Sequence, residues 1–147
     1  MRQSRRWTDD CGSASLEFIT VGLVLLVPLV YLVLAVSAIQ AAAFAAEGAA
    51  RQAARVFVQA SDAASAEAGA QLALEFALAD HGVEGEAGIA VSCTAQPCLT
   101  RQEFVTVTVD IAVSLPLVPP VLAGDFPLSV PIRATATEQV SRFWGSR

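Results

Sequence analysis

The chain predicts an α+β fold: a long N-terminal transmembrane helix that continues as a stalk, a second helix, and a small antiparallel sheet of about three strands. Three observations carry this. Between Glu17 and Glu47 stand 29 consecutive residues (18–46) without a charge. Over residues 47–80 the apolar positions recur at helical spacing, three or four apart. From Ile89 onward the period changes to two, the spacing of a strand with one buried face. Composition agrees: 54% of the 147 residues are hydrophobic, more than in an ordinary soluble domain, and the length suits one domain at most.

The first element is the uncharged run. A bilayer core needs roughly 20 apolar residues as helix, and at ~1.5 Å per residue this run reaches about 43 Å. It can cross and still emerge as helix. Arg2, Arg5 and Arg6 precede it, whereas Arg51 and Arg55 follow it. Asp9 and Asp10 weigh little in orientation, so the bias favours a cytoplasmic N-terminus. The chain then divides into a basic leader (1–12), a transmembrane helix (13–46) and an extracytoplasmic α+β domain (47–147). That domain holds six arginines against eleven acids, an acidic exterior without a basic stripe that excludes a nucleic-acid binder. A cleaved secretory signal has an apolar core of only about 7–15 residues. An A-F-A triplet at Ala43–Ala45 nevertheless keeps a released product as an alternative.

Inside the span, Pro28 removes one backbone hydrogen bond, a defect that membrane helices tolerate. It reads either as a hinge that lets the segment leave the bilayer or as a neutral kink. Gly22 and residues 41–43 offer small surfaces for close helix packing, although alanine's helix propensity alone accounts for the alanines. Beyond Glu47 the helix becomes amphipathic. Glu47, Arg51, Arg55 and Gln59 form a polar stripe, with Glu47 and Arg51 in the favourable i,i+4 order. Ala50, Ala53, Ala54 and Phe57 form the other face. Arg51 and Arg55 serve a solvated face or lipid headgroups, or clasp another subunit.

Ser61-Asp62 reads as the start of the second helix and His81-Gly82 as its end. Leu72, Phe76 and Ala79 recur at helical spacing between them, with Leu74 and Leu78 widening the apolar face. "GVEGEAG" (82–88) is an acidic link. Ile89, Val91 and Cys93 then alternate with Ala90, Ser92 and Thr94, as do Val105, Val107, Val109, Ile111 and Val113 with Thr106, Thr108 and Asp110. Residues 116–127 form a proline-punctuated crossing loop. Leu128, Val130, Ile132, Ala134 and Ala136 make the third strand, and Pro131 suggests an edge position. The tail "VSRFWGSR" either continues that strand or is loose.

Candidate chemistry is sparse. Cys93 and Cys98 flank the first strand-to-strand turn, and outside the cytoplasm a disulfide is their natural state. A metal site would need further ligands that a single histidine, His81, does not supply. His81 itself reads as a helix terminator. With one histidine and no G-x-S-x-G there is no case for a hydrolase, and the glycines form no phosphate-cradling loop. The sequence therefore predicts no enzyme, no metal, no cofactor and no small-molecule substrate.

The N-terminal stretch carries more. "CGSASLEF" (11–18) ends a short basic leader in Gly12, places an acid at Glu17 and opens the apolar run at Phe18. A bland account of Glu17 exists, since an acid at a helix start gains a few tenths to about 1 kcal/mol from the helix dipole. The combination of glycine, spacing and flanking helix resembles the processing site of type IV prepilins. More specifically, residues 12–57, with "GSASLEF", the proline-containing apolar helix and "AARQAAR", resemble the TadE-like family of minor pseudopilins. This likeness covers about a third of the chain.

What the resemblance implies is definite. A membrane-embedded prepilin peptidase would cut between Gly12 and Ser13, leaving Glu17 as the fifth mature residue. The Glu17 carboxylate would pair with the new amine of Ser13, on the same or an adjacent subunit. Ser13 stands where major pilins usually have Phe, so methylation of that amine is not implied. Implied partners are the membrane lipid bilayer, the prepilin peptidase, other pilin or pseudopilin subunits and the pilus assembly machinery, in building Flp-type (tight adherence) pili. A pilin-like body outside the cytoplasmic membrane is expected, as a single-pass protein or as part of a pilus. The alternative is a membrane-tethered extracytoplasmic binding module on an uncleaved signal anchor.

Overall fold

A computed structural model describes residues 13–116 and 129–145. The leader with Cys11 and Gly12, most of the proline-punctuated loop, and Leu128 of the expected third strand lie outside the described residues. The order of elements is α1 (Ser13–Gln59), α2 (Ala63–Asp80), β1 (Gly85–Cys93), β2 (Phe104–Ser114) and β3 (Ser129–Gln139). The architecture is α+β: a long apolar N-terminal helix, a second helix and a three-stranded antiparallel sheet in the order β1-β2-β3.

Contacts divide the chain into two compact units, Met1–Leu34 and Ala35–Arg147. In the first, α1 has no face: all fourteen Leu, Ile, Val and Phe side chains from Leu16 to Leu34 are exposed, Phe18 at 80%. Pro28 stands inside α1 without ending it.

In the second unit the remainder of α1 buries a broad alanine face. Ala45, Ala46, Ala49, Ala53 and Ala54 are fully enclosed, joined by Ala42, Ala50 and Phe57. Ala42, Ala45 and Ala46 belong to the charge-free run, so that run contributes to this core. The expected polar stripe is observed, with Glu47, Arg51, Arg55 and Gln59 all exposed and Arg51 Nη2 donating to Glu47 Oε2 at 3.0 Å.

Helix α2 starts where the Ser61-Asp62 signal placed it. Asp62 is the N-cap; its Oδ1 accepts from the Ser65 N–H at 2.9 Å, and the Ser65 hydroxyl accepts from the Asp62 N–H, closing a capping box. The Ser65 N–H, then the Ser61 and Ser65 hydroxyls, hold the Asp62 carboxyl below its ordinary range. At the other end His81 is the C-cap and donates to the Ala77 carbonyl. Gly82 takes φ +59°, which glycine adopts without penalty.

One expectation for α2 is corrected. The face that packs is Ala66, Ala70, Ala73 and Leu74, with Ala77 and Leu78 against them, whereas Leu72, Phe76 and Ala79 point outward. The reason is steric. Alanines let α2 approach the alanine face of α1, and a methyl added at Gly69 would come 2.6 Å from Val56 Cγ1. At about 3.6 residues per turn Leu72 and Phe76 fall outside the arc of α2 that Ala66, Ala70, Ala73 and Leu74 span.

The sheet follows the period of two. Val105, Val107, Val109, Ile111 and Val113 are buried on β2, the central strand. On the same face, Val91 and Ile89 pair with Val107 and Val109 from β1, while Ala136 and Ala134 do so from β3. The helices and this face form one hydrophobic core. The opposite face is hydroxyl-rich: Thr106 bonds Thr137 at 2.9 Å, Thr108 bonds Thr135 at 3.3 Å, and Arg133 pairs with Asp110. Pro131 indeed sits on an edge strand.

The tail does not extend β3. Residues 142–145 form a turn, and Trp144 reaches back to donate its Nε1–H to the Ala60 carbonyl at 2.8 Å. Arg101 Nε in turn donates to the Trp144 carbonyl at 2.8 Å.

Candidate functional site

The residues singled out from the sequence fall in two separate groups, one on α1 and one at the β1–β2 turn. Ser13, Glu17 and Pro28 all lie on α1. Gly12, the other half of the scissile bond, lies outside the described residues. Four residues separate Ser13 from Glu17, about one helical turn or ~6 Å of rise. The Glu17 side chain is exposed and forms no ion pair among the described residues. Next to it Thr20 Oγ1 donates to the Leu16 carbonyl at 2.7 Å, a bond that satisfies the hydroxyl within the helix.

The surroundings of Glu17 set its chemistry. Each of the exposed Leu, Ile, Val and Phe side chains gains roughly 1.5–3 kcal/mol on leaving water. Fourteen on one helix amount to tens of kcal/mol, far more than any surface ion pair. Residues 15–59 contain one helix long and apolar enough to cross a membrane, near the N-terminus. A carboxylate at that position is costly at membrane depth without a counter-charge.

Cys93 and Cys98 form a disulfide, with Cα atoms 5.2 Å apart. It closes the turn between β1 and β2, where Thr94 Oγ1 donates to Glu103 Oε2 and accepts from the Phe104 N–H. Leu99, inside this turn, is 4% exposed and joins the core with Val140. A disulfide is compatible with a body outside the cytoplasm.

Other chemistry finds little material. Among the described residues no three His, Cys, Asp or Glu side chains cluster as metal ligands do, and no polar or charged side chain is buried. His81 is exposed at the end of α2. Sequence reading did not single out the outer groove between α1 and α2, lined by Gly48, Gln52, Val56, Gly69, Leu72 and Phe76. Its signal was available: glycines inside helices cost about 1 kcal/mol each relative to alanine and call for a packing reason.

Fold and site together define an α+β protein with a membrane-capable N-terminal helix and a disulfide that closes the β1–β2 turn. Compared with protein-family models, curated proteins and solved structures, the chain matches none.

Proposed function

We propose that the chain is a pilin-like minor subunit, similar to the TadE-like pseudopilins, that a prepilin peptidase processes between Gly12 and Ser13 and that acts in assembling Flp-type pili. The observation that carries this reading is Glu17: a single carboxylate in an α1 segment whose large aliphatic side chains are all exposed. Such a segment wants to leave water on every side, toward lipid or toward other helices like itself. The carboxylate opposes that transfer unless it is neutralised.

Cleavage after Gly12 supplies the remedy, because it creates an amine at Ser13 one turn away. The two opposite charges then stabilise one another, within one subunit or across two. In a low-dielectric setting a misaligned subunit leaves both ions unpaired, which is strongly unfavourable. Processing and register are thereby coupled. The N-terminus faces the cytoplasm and the disulfide-bearing body lies outside it, in keeping with Arg2, Arg5 and Arg6 ahead of the span.

Glu17→Leu and Gly12→Ala test the scheme separately in cells that hold the peptidase and the other subunits. Gly12→Ala should leave the leader attached. Glu17→Leu should still be cut and inserted, yet fail to co-purify with the assembled machinery. If Glu17→Leu is incorporated as well as the native chain, the carboxylate has no part in assembly and the body is a tethered binding module.

A further inference from the structure

The outer face of the α1–α2 pair carries a groove of ≈ 520 Å³ that the function above does not use. Leu72 and Phe76 stand beside it, 50% and 61% exposed. Across from them α1 presents Gly48, where an added methyl would meet nothing within 4 Å. A protruding aromatic and a vacancy thus lie on one surface. Leu72 and Phe76, one turn apart, make this rim of the groove a contiguous apolar patch.

The levels of these residues along the helix pair decide what fits. Gly69 packs on Val56, and the short turn at Ala60–Asp62 makes the helices antiparallel. Eight residues back along α1 is Gly48, and seven forward along α2 is Phe76, so at equal rise per residue the two fall within one residue, ~1.5 Å, of one level. Gln52 and Leu72 likewise fall within one residue of one another at the level between. A second copy turned by a two-fold axis parallel to the helices keeps every level and sets α1 of one copy against α2 of the other. Phe76 of each then faces Gly48 of its mate, and Leu72 faces Gln52. Charges match as well. The α1 rim carries exposed Arg51, paired along its own helix with Glu47, and exposed Arg55, and the far rim of α2 carries exposed Glu75. Arg51 falls within one residue of the level of Glu75 in the second copy.

We propose that a second copy of this chain covers the groove, through an isologous contact in which Phe76 of each copy seats over Gly48 of the other. The contact lies within residues 48–81 and does not rest on the pilin-like reading, which concerns the apolar segment.

The test uses the full chain with Cys11→Ser, in detergent micelles, with differently tagged copies. A copy bearing Gly48→Cys mixed with one bearing Phe76→Cys should form a disulfide-linked heterodimer on mild oxidation. Neither variant should link to itself, because the axis sets position 48 opposite 76 and not opposite 48. Gly22→Cys is the control for association through the apolar segment alone. Phe76→Glu, at an exposed position, should raise the dimer dissociation constant about tenfold or more, the loss expected for a packed aromatic anchor, with an unchanged near-UV circular dichroism spectrum confirming the fold. A strictly monomeric chain, links only through Gly22→Cys, equal self-linking by either variant, or a dimer indifferent to Phe76→Glu would each overturn the proposal.

Discussion

Gly69→Ala offers a sharp quantitative test of the helix packing. In an isolated helix this change stabilises by about 1 kcal/mol, because glycine pays more backbone entropy than alanine. Here the new Cβ would lie 2.6 Å from Val56 Cγ1 and 3.9 Å from its Cβ. Val56 cannot swing aside freely, since a β-branched side chain on a helix has one strongly preferred rotamer. Overpacking of this kind costs about 1–3 kcal/mol. The sum is a net loss of up to about 2 kcal/mol, or a fall in Tm of several degrees for a unit of this size. In a Val56→Ala background the obstruction is gone, and the same Gly69→Ala change should become stabilising by about 1 kcal/mol. Thermal melts of the four chains, in dilute micelles and followed by near-UV circular dichroism, give the double-mutant cycle. The predicted coupling is about 1–3 kcal/mol, with a change of sign. If Gly69→Ala stabilises equally in both backgrounds, α1 and α2 do not approach as described.

Three further expectations concern the rest of the body. Replacing Cys93 and Cys98 by Ser frees a loop of sequence separation 5; loop-closure entropy for so short a ring is worth about 2 kcal/mol, so the body should melt several degrees lower, and an unchanged melt would show that the turn is held without the bond. Asp62 binds protons less readily folded than unfolded, since its carboxyl is held below the ordinary 3.8; the stability it lends is complete above that value and drains away as the pH falls through the lower folded one. Asp62→Asn keeps a capping acceptor and should flatten this acid limb of a stability–pH profile; an identical limb in both proteins would remove Asp62 from its cause. Val109→Ala in the buried centre of β2 should cost about 2–3 kcal/mol in denaturant unfolding, whereas Thr108→Ala on the open face should cost under about 1 kcal/mol; equal costs would mean that the buried face is misassigned.

Much of the fold was legible because its signals are local. The strands showed as strict alternation, since each side chain on β2 sees either the helices or water. Asp62 and Gly82 marked the ends of α2 through their own backbone chemistry. The cysteine pair lay close enough in sequence for its bond to be foreseen. The packed face of α2 was not legible in the same way. A search for large apolar residues finds Leu72 and Phe76, yet the closest helix contacts belong to alanine and glycine, whose weak hydrophobicity hides them. The Trp144 clamp on Ala60 was equally hidden, because it joins residues 84 apart and nothing local announces it. As for the candidate site, Glu17 was conspicuous as a charge bordering an uncharged run, and the structure sets it on α1 amid exposed apolar side chains. In the proposed scheme its partner charge is the Ser13 amine, which a cut and not the fold would create.

That cut is the direct test of the account. The intact mass and N-terminal sequence of the chain, extracted from membranes that contain the proposed prepilin peptidase, should show Ser13 as the first residue, with the leader lost. A protein that still begins at Met1 under those conditions would contradict the account, and would leave α1 as an ordinary uncleaved anchor.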